Sequence, residues 1–393
     1  MSEKGYKKII RVTTVSGSLV GTLKGQFAFM KQFYEVIGVC SKDEELRVLS
    51  EREGVRTVGI DMTRKITPFK DLKALFQLYR FFKSERPEIV HTHTPKAGTL
   101  GLMAAYLAGV PHRLHTIAGL PLMEATGKKR ILLNLVEKLT YACATNIYPN
   151  SQGIYEFVKQ EGFTNDKKLK VIGQGSSNGV DITHFNPELF SVRDKETLRK
   201  ELSIPLNERV LIFLGRIVAD KGIHELIDAF TQISEKIDNI TLIIGGDYER
   251  NLDPISPRTE NLLNNHPKIK LLGWIKDVRP YLSISELMLF PSYREGFPNV
   301  VMQAGAMGIP VIATDINGCN EIIIPGKNGI IVPPKNTVRL EEAILNYLNG
   351  DSQTFSAETC RKLIIERYDQ KIIWKLLHEE YERVLSSNTS TSC

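Results

Sequence analysis

Short apolar runs alternate with helix-period stretches along nearly all of this chain, and the alternation starts afresh in its second half. In the first half the runs are Lys8–Val15 (KIIRVTTV), Phe33–Cys40 (FYEVIGVC), Val55–Ile60, Glu88–Thr92, Arg113–Ile117, Asn146–Pro149 and Lys168–Ile172. Helical stretches separate them. Asp71–Lys83 places Leu72, Leu75, Phe76, Tyr79 and Phe82 on one face, Thr99–Ala108 is small and apolar, and a long helix opens at Lys128 and runs through Tyr141. In the second half, strands are read at Arg209–Leu214, Ile240–Gly245, Ile269–Leu272, Leu287–Phe290 and Val311–Ala313. Helices are read at Ile223–Ile233, from Pro298 and Asn299 onward, and at Leu340–Tyr347, Ala357–Tyr368 and Trp374–Leu385. Strands joined through helices make a parallel sheet covered on both faces. The expected fold class is therefore α/β, with two doubly wound Rossmann-like domains over residues 1–185 and 186–370. Residues 371–393 form a helix and tail that can pack back on the first domain. The polar, glycine-rich run Gly173–Asp181 reads as the hinge between the two domains.

Composition narrows the partners. Of the 393 residues, 42% are hydrophobic and 24% charged, an ordinary globular balance with material for two cores. No apolar stretch is long enough to span a bilayer, and the first residues lack the pattern of a signal peptide. Five scattered cysteines without C-x-x-C spacing argue for a reducing, cytoplasmic setting and against a zinc site. Residues 1–185 carry 27 Lys and Arg against 17 Asp and Glu, so all the positive excess of a chain of net charge +6 lies there. No nucleic-acid module accompanies that charge. An anionic membrane surface or a phosphorylated substrate remains, alongside a merely solvated surface. The basic residues Arg64, Lys65, Lys128, Lys129 and Arg130 are the candidates for a membrane contact.

The chemistry-bearing residues fall at strand ends, where an α/β sheet presents ligands to its loops. Gly215-Arg216 and Lys221-Gly222 place a planar cation and a compact one on the loop after a buried strand, suited to a diphosphate. The stretch Phe290–Pro333 then runs strand, acidic loop (Glu295-Gly296-Phe297), helix, strand and polar loop. Asn299 is a favoured N-cap there, and the backbone N–H groups of Asn299, Val300 and Val301 suit a phosphate. A bland reading exists for each residue: a salt-bridged loop for Arg216 and Lys221, a helix-capping carboxylate for Glu295, plain packing for Trp274.

This Glu-Gly-Phe-Pro-Asn loop, followed by G-I-P-V-I-A-T and the step Asn320-Glu321, resembles the donor site of the retaining nucleotide-sugar glycosyltransferases of family four. Arg64-x-Ile66-x-Pro68-x-x-Asp71 and His93-Thr-Pro-Lys96-Ala-Gly resemble the bacterial capsule and O-antigen members. The resemblance implies the GT-B fold, two such domains facing a cleft. It further implies transfer of a sugar from a nucleotide donor, UDP-linked in kind, to a polyprenyl-diphosphate-linked glycan, without metal or other cofactor. Arg216 and Lys221 would grip the donor diphosphate, and Glu295 would serve the sugar as the third catalytic residue. Gly17, Gly215, Trp274, Gly296, Phe297, Asn299, Val300, Val301 and Gln303 would complete the donor site, with His93, Lys96 and Gly119 on the acceptor side. Two positions depart from the family pattern. Gln303 stands where a second glutamate is usual, which implies weaker ribose binding or help from a neighbouring group rather than loss of function, and Ala118 stands where many members have histidine. His91 and His93 are expected on opposite sides of their strand, a poor metal pair. A nucleotide-sugar epimerase of the same fold and a non-catalytic sugar-nucleotide binder are the rival readings.

Overall fold

The computed structural model describes residues 6–63, 67–251, 253–350 and 355–387, with the side chains of Pro121 and Glu124 left aside. Arg64 and Lys65 lie outside the described residues. The chain divides into two compact units. One runs to Asn178 and takes up the chain again from Gln370, and the other is Gly179–Asp369.

The first unit is built on strands β1 (Lys8–Val12), β2 (Glu35–Cys40), β3 (Arg56–Gly59), β4 (Ile89–Thr92), β5 (His112–Ile117) and β6 (Asn146–Pro149). They form one parallel sheet in the order β3-β2-β1-β4-β5-β6. The helices are α1 (Gln26–Met30), α2 (Glu44–Glu53), α3 (Pro68–Glu85), α4 (Pro95–Ala108), α5 (Gly127–Cys143) and α6 (Gln152–Gln160). Strand alternation splits the side chains between two cores. Ile9, Val36 and Ile89 pack with Phe27 of α1 and Leu49 of α2, whereas Ile10, Ile37 and Val90 pack with Leu78 of α3 and Ala97 of α4.

The second unit repeats the plan with β7 (Arg209–Leu214), β8 (Ile240–Gly245), β9 (Ile269–Gly273), β10 (Leu287–Phe290), β11 (Val311–Thr314) and β12 (Gly329–Val332), ordered β12-β11-β10-β7-β8-β9. Its helices are α7 (Val192–Glu201), α8 (Ile223–Lys236), α9 (Pro257–Asn265), α10 (Arg279–Ser283), α11 (Asn299–Ala306), α12 (Cys319–Ile322), α13 (Thr337–Asn349) and α14 (Ala357–Tyr368). The last helix, α15 (Gln370–Ser386), belongs to the first unit, where Leu377, Tyr381 and Val384 join the core of α1 and α2.

In each sheet the strand order reverses once, beside β1 and β4 in the first and beside β7 and β10 in the second. Loops leave such a switch point in opposite directions, which opens a crevice at the carboxyl ends of the strands.

Two expectations need correcting, and one strand was not expected. Lys168–Ile172 is not a strand: Asp166–Lys168 is a short 3-10 turn, and a single bridge joins Leu169 to Ile147. Lys168 Nζ instead caps carbonyls of Tyr141 and Ala144, at 3.1 and 2.7 Å, at the end of α5. The apolar face read on α3 is only partly core: Phe82 is buried, but Leu72 and Phe76 are 65% and 57% exposed. Leu72, Leu75, Phe76 and Tyr79 line an outer groove with Leu107 of α4, because the helix buries Ala74, Leu78 and Phe82 instead. Strand β12 was not read from the sequence at all.

Candidate functional site

The carboxyl edge of the second sheet gathers the expected donor residues other than Gly17. β7 ends at Leu214, and the chain turns through Gly215 and Arg216 into a short 3-10 turn, Ala219–Lys221, that delivers Lys221 to the start of α8. Two glycines make this path possible. Gly222 has φ of +69°, and a Cβ there would lie 2.1 Å from the Pro291 carbonyl oxygen. Gly246, after β8, has φ of +149° and touches the Gly215 carbonyl, so no side chain fits at that crossing either. The loops leaving β7 and β10 are thereby pressed together, and Tyr293 N–H donates to the Asp220 carbonyl at 2.8 Å.

On that seam Lys221 Nζ meets Glu295 Oε1 at 2.5 Å, with both side chains largely buried. Ser292 Oγ donates to the same carboxylate oxygen at 3.3 Å. Residues 74 apart in sequence thus form one charge pair at the switch point. Arg216 lies at the rim, half exposed, and pairs with Glu249 at 2.6 Å. Such an exposed pair contributes about 0–1 kcal/mol and opens readily for a better anion. Asp220 holds Arg294 through two hydrogen bonds of 2.7 and 2.9 Å, which fixes the loop ahead of Glu295.

The Gly296–Pro298 backbone is braced from the far side. Asn317 Nδ2 donates to the carbonyls of Glu295 and Gly296, and Gly318 (φ +78°) leaves no room for a Cβ against Gly296 and Pro298. Phe297 is buried against Tyr368, with ring centroids 5.3 Å apart. Pro298, not Asn299, is the N-cap of α11, and no side chain caps it; Asn299 is the first helical residue. Proline fits that helix start, and its carbonyl accepts from Val301 N–H at 3.2 Å. Val300 and Asn299 therefore present the first-turn N–H groups of α11. Gln303, one turn on, is half-buried and makes no side-chain hydrogen bond to a described residue. Trp274, after β9, is 69% exposed, as a flat face for a ring would be.

The acceptor-side candidates His93, Lys96 and Gly119 lie in the first unit, and so does Gly17, which was expected in the donor site. Gly17 follows Ser16, whose Oγ donates to Asp43 and Glu45 at 2.5 and 2.8 Å, an acidic surrounding. Gly119 follows β5 with open space where a Cβ would be. Lys96, on the first turn of α4, pairs with Asp71 at 2.5 Å. His93 is buried, and its ring lies 4.1 Å from that of His91. The two do not point to opposite sides, because residues two apart on a strand share a face. Sequence reasoning missed Arg11, fully buried on the same face of β1 as Ile9, although an arginine inside an apolar central strand is itself a signal.

Of the cations named for a membrane contact, Lys128 and Lys129 are exposed at the start of α5. Arg130 is not: it is tied to Glu161 at 2.6 Å and to the Leu122 carbonyl at 2.9 Å. Beside the lysines, α5 exposes Ile131 and Leu135, each at 69%. Among the described residues no helix is long and apolar enough to cross a membrane.

Comparison with known proteins follows the same division. Residues 194–369 match the family described as "Glycosyl transferases group 1", and residues 28–175 match "Glycosyl transferase 4-like domain". The capsular polysaccharide biosynthesis glycosyltransferase CapM of Staphylococcus aureus is 31% identical over 384 residues, covering 97% of this chain and 98% of that one. An Escherichia coli UDP-Gal:alpha-D-GlcNAc-diphosphoundecaprenol alpha-1,3-galactosyltransferase is 32% identical over 266 residues, 67% of this chain and 66% of that one. Among solved structures, HepE of Anabaena in complex with UDP superposes with a TM-score of 0.78 at 21% identity, over 96% of this chain and 100% of that one. A glycosyltransferase of Rickettsia africae gives a TM-score of 0.80 at 20% identity, over 97% and 99%. The chain belongs to the family-four glycosyltransferases of GT-B fold, of the bacterial capsule and O-antigen polysaccharide type.

Proposed function

We propose that this glycosyltransferase moves a sugar from a UDP-linked donor to a polyprenyl-diphosphate-linked glycan, with retention at the anomeric carbon and without a metal ion. The observation that carries the reading is the Lys221–Glu295 pair at the switch point of the second sheet, next to the first turn of α11. Lys221 and Arg216 are the groups that would neutralise a leaving diphosphate, aided by the N–H groups of Asn299 and Val300. When the diphosphate takes Lys221, Glu295 is released to face the positive charge that develops at the anomeric carbon. Leaving-phosphate oxygens can accept the acceptor's proton, so transfer on one face needs no separate enzyme base. The names of the E. coli galactosyltransferase and of UDP-bound HepE support the UDP donor, and the former supports the lipid-linked acceptor.

The acceptor places the work at a membrane, and the outer face of the first unit suits one. Helices α3, α4 and α5 pack side by side. They expose Phe69, Leu72 and Phe76, then Tyr106 and Leu107, then Ile131 and Leu135. Lysines 70, 73, 128, 129 and 138 are interspersed among these, and apolar side chains ringed by lysine fit an anionic bilayer.

The test is incorporation of labelled sugar from a panel of nucleotide sugars into a short-chain prenyl-diphosphate glycan. Wild type, Lys221→Ala and Glu295→Gln are compared, with chelator added. Turnover of a UDP-sugar, insensitive to chelator and reduced at least about 100-fold in either variant, with an α product from an α donor, is expected. An inverted product or chelator-sensitive turnover refutes the corresponding part, and donor binding without turnover in the wild type favours the binder.

A further inference from the structure

The switch point of the first sheet holds a cation that no carboxylate among the described residues meets. Arg11 is fully buried on β1, and its partners among the described residues are neutral: Nε and Nη2 reach His93 Nε2 at 3.1 and 2.8 Å, and Nη1 donates to Gln26 Oε1. A guanidinium removed from water without a carboxylate is costly, so a fold that keeps one has a use for the charge. The contacts also fix His93. Arginine only donates, so Nε2 of His93 must accept, and its ring proton sits on Nδ1.

That Nδ1 is buried and without a partner, as are Asn150 Oδ1 and Ser177 Oγ. These are three of the five orphaned buried side-chain atoms among the described residues, and all three residues line one small cavity with Arg11, Thr116 and Ser176. The cavity holds about 20 Å³, room for one oxygen-sized atom on a measure where a water takes about 10–15 Å³. Ser176 adopts φ of +68°, uncommon outside glycine, to shape the wall. The Asn150 amide is held only by a 3.5 Å contact to the Ala118 carbonyl, so either of its ends is available to the cavity.

We propose that this cavity is an anion subsite that seats one charged oxygen of a phosphate group, held by Arg11, the His93 Nδ1–H and Ser177 Oγ. Its position at the carboxyl ends of β1, β4 and β6 is where an α/β sheet receives ligands. That the phosphate belongs to the lipid-linked acceptor rests on the proposed function; the subsite itself does not.

The probe is inorganic pyrophosphate, titrated calorimetrically into the full chain carrying Arg216→Ala and Lys221→Ala, so that the second unit's cations do not report. Saturable binding is expected, weakened about tenfold by Ser177→Ala or His93→Gln in that background. Arg11→Gln should abolish it. If Arg11→Gln fails to fold, as judged by circular dichroism, the other two variants carry the test. Absence of binding in the folded background protein, or equal binding in Ser177→Ala and His93→Gln, overturns the subsite and assigns the cavity a water. Geranyl diphosphate identifies the source. If it displaces pyrophosphate, the phosphate arrives on a lipid. If it does not, while pyrophosphate binds and the variants weaken it, the site takes a free phosphate anion. UDP binding to the otherwise wild-type chain tests the donor reading separately, so either idea can fail alone.

Discussion

Gln303 lies one helical turn into α11, half-buried and uncommitted, at the place where the resemblance drawn from the sequence implies a carboxylate. An amide can accept a hydroxyl hydrogen but lacks the charge that strengthens the bond. Gln303→Glu should therefore tighten UDP binding several-fold, about 1 kcal/mol, as read by calorimetry. No change would mean that the ribose does not reach this side chain. Gly222 is a harsher position. Its left-handed backbone and the carbonyl of Pro291 leave no space for a methyl group, so Gly222→Ala should cost about 2–4 kcal/mol of stability in a denaturant titration. It should also displace Lys221, its neighbour, and lower activity beyond what the stability loss explains. The residues of the charge pair were legible in the sequence because strand ends locate them. Arg11 was passed over: an arginine inside an apolar strand signals a buried charge, but the strand pattern does not say what that charge faces.

At the scale of the element, the buried strands were the easiest to read, because parallel strands covered on both faces are apolar throughout. Helix α3 shows the limit. Its periodicity marks an apolar stripe, but a stripe does not say what covers it, and here Leu72 and Phe76 face outward. Strand β12 is no shorter than β10 or β11, which were read, but it opens on a glycine and runs into Pro333-Pro334, so the stretch passed for loop. The outward stripes on α3 and α5 carry the membrane prediction. Ile131→Ser with Leu135→Ser should reduce co-sedimentation with phosphatidylglycerol vesicles at least tenfold, given about 1.5–3 kcal/mol for each buried aliphatic side chain. Retained binding would show that this face is not the contact. Lys128→Glu with Lys129→Glu should weaken binding most at low salt.

For the whole molecule, acid should undo one unit before the other. His91, His93 and His115 lie in the first unit, and burial holds all three below the ordinary histidine value near 6.5, His115 at about 4. The neighbouring Arg11 charge adds to this for His91 and His93. The unfolded chain binds protons on these rings at a pH where the folded unit does not, so stability is fully present above about pH 6.5 and falls as pH drops toward 4. Hydrogen exchange between pH 7 and 5 should show protection lost in β4 and β5 while β7 and β10 keep theirs. Equal losses in both sheets would remove the histidines as the cause.

Helix α15 bears on a different matter, the order in which the protein becomes itself. Tyr381 hydroxyl meets His91 at 2.6 Å, Tyr148 reaches Glu380 at 3.0 Å, and Trp374 Nε1 meets Asn178 at 2.6 Å. The half synthesised first is thus closed by a helix that follows the whole of the second unit. As the chain emerges from the ribosome, the later unit has all its strands while the earlier one still lacks a wall over His91. The nascent first sheet is left with an apolar face open for the time it takes to make some 190 further residues, and this stretch of synthesis is where a chaperone would find it.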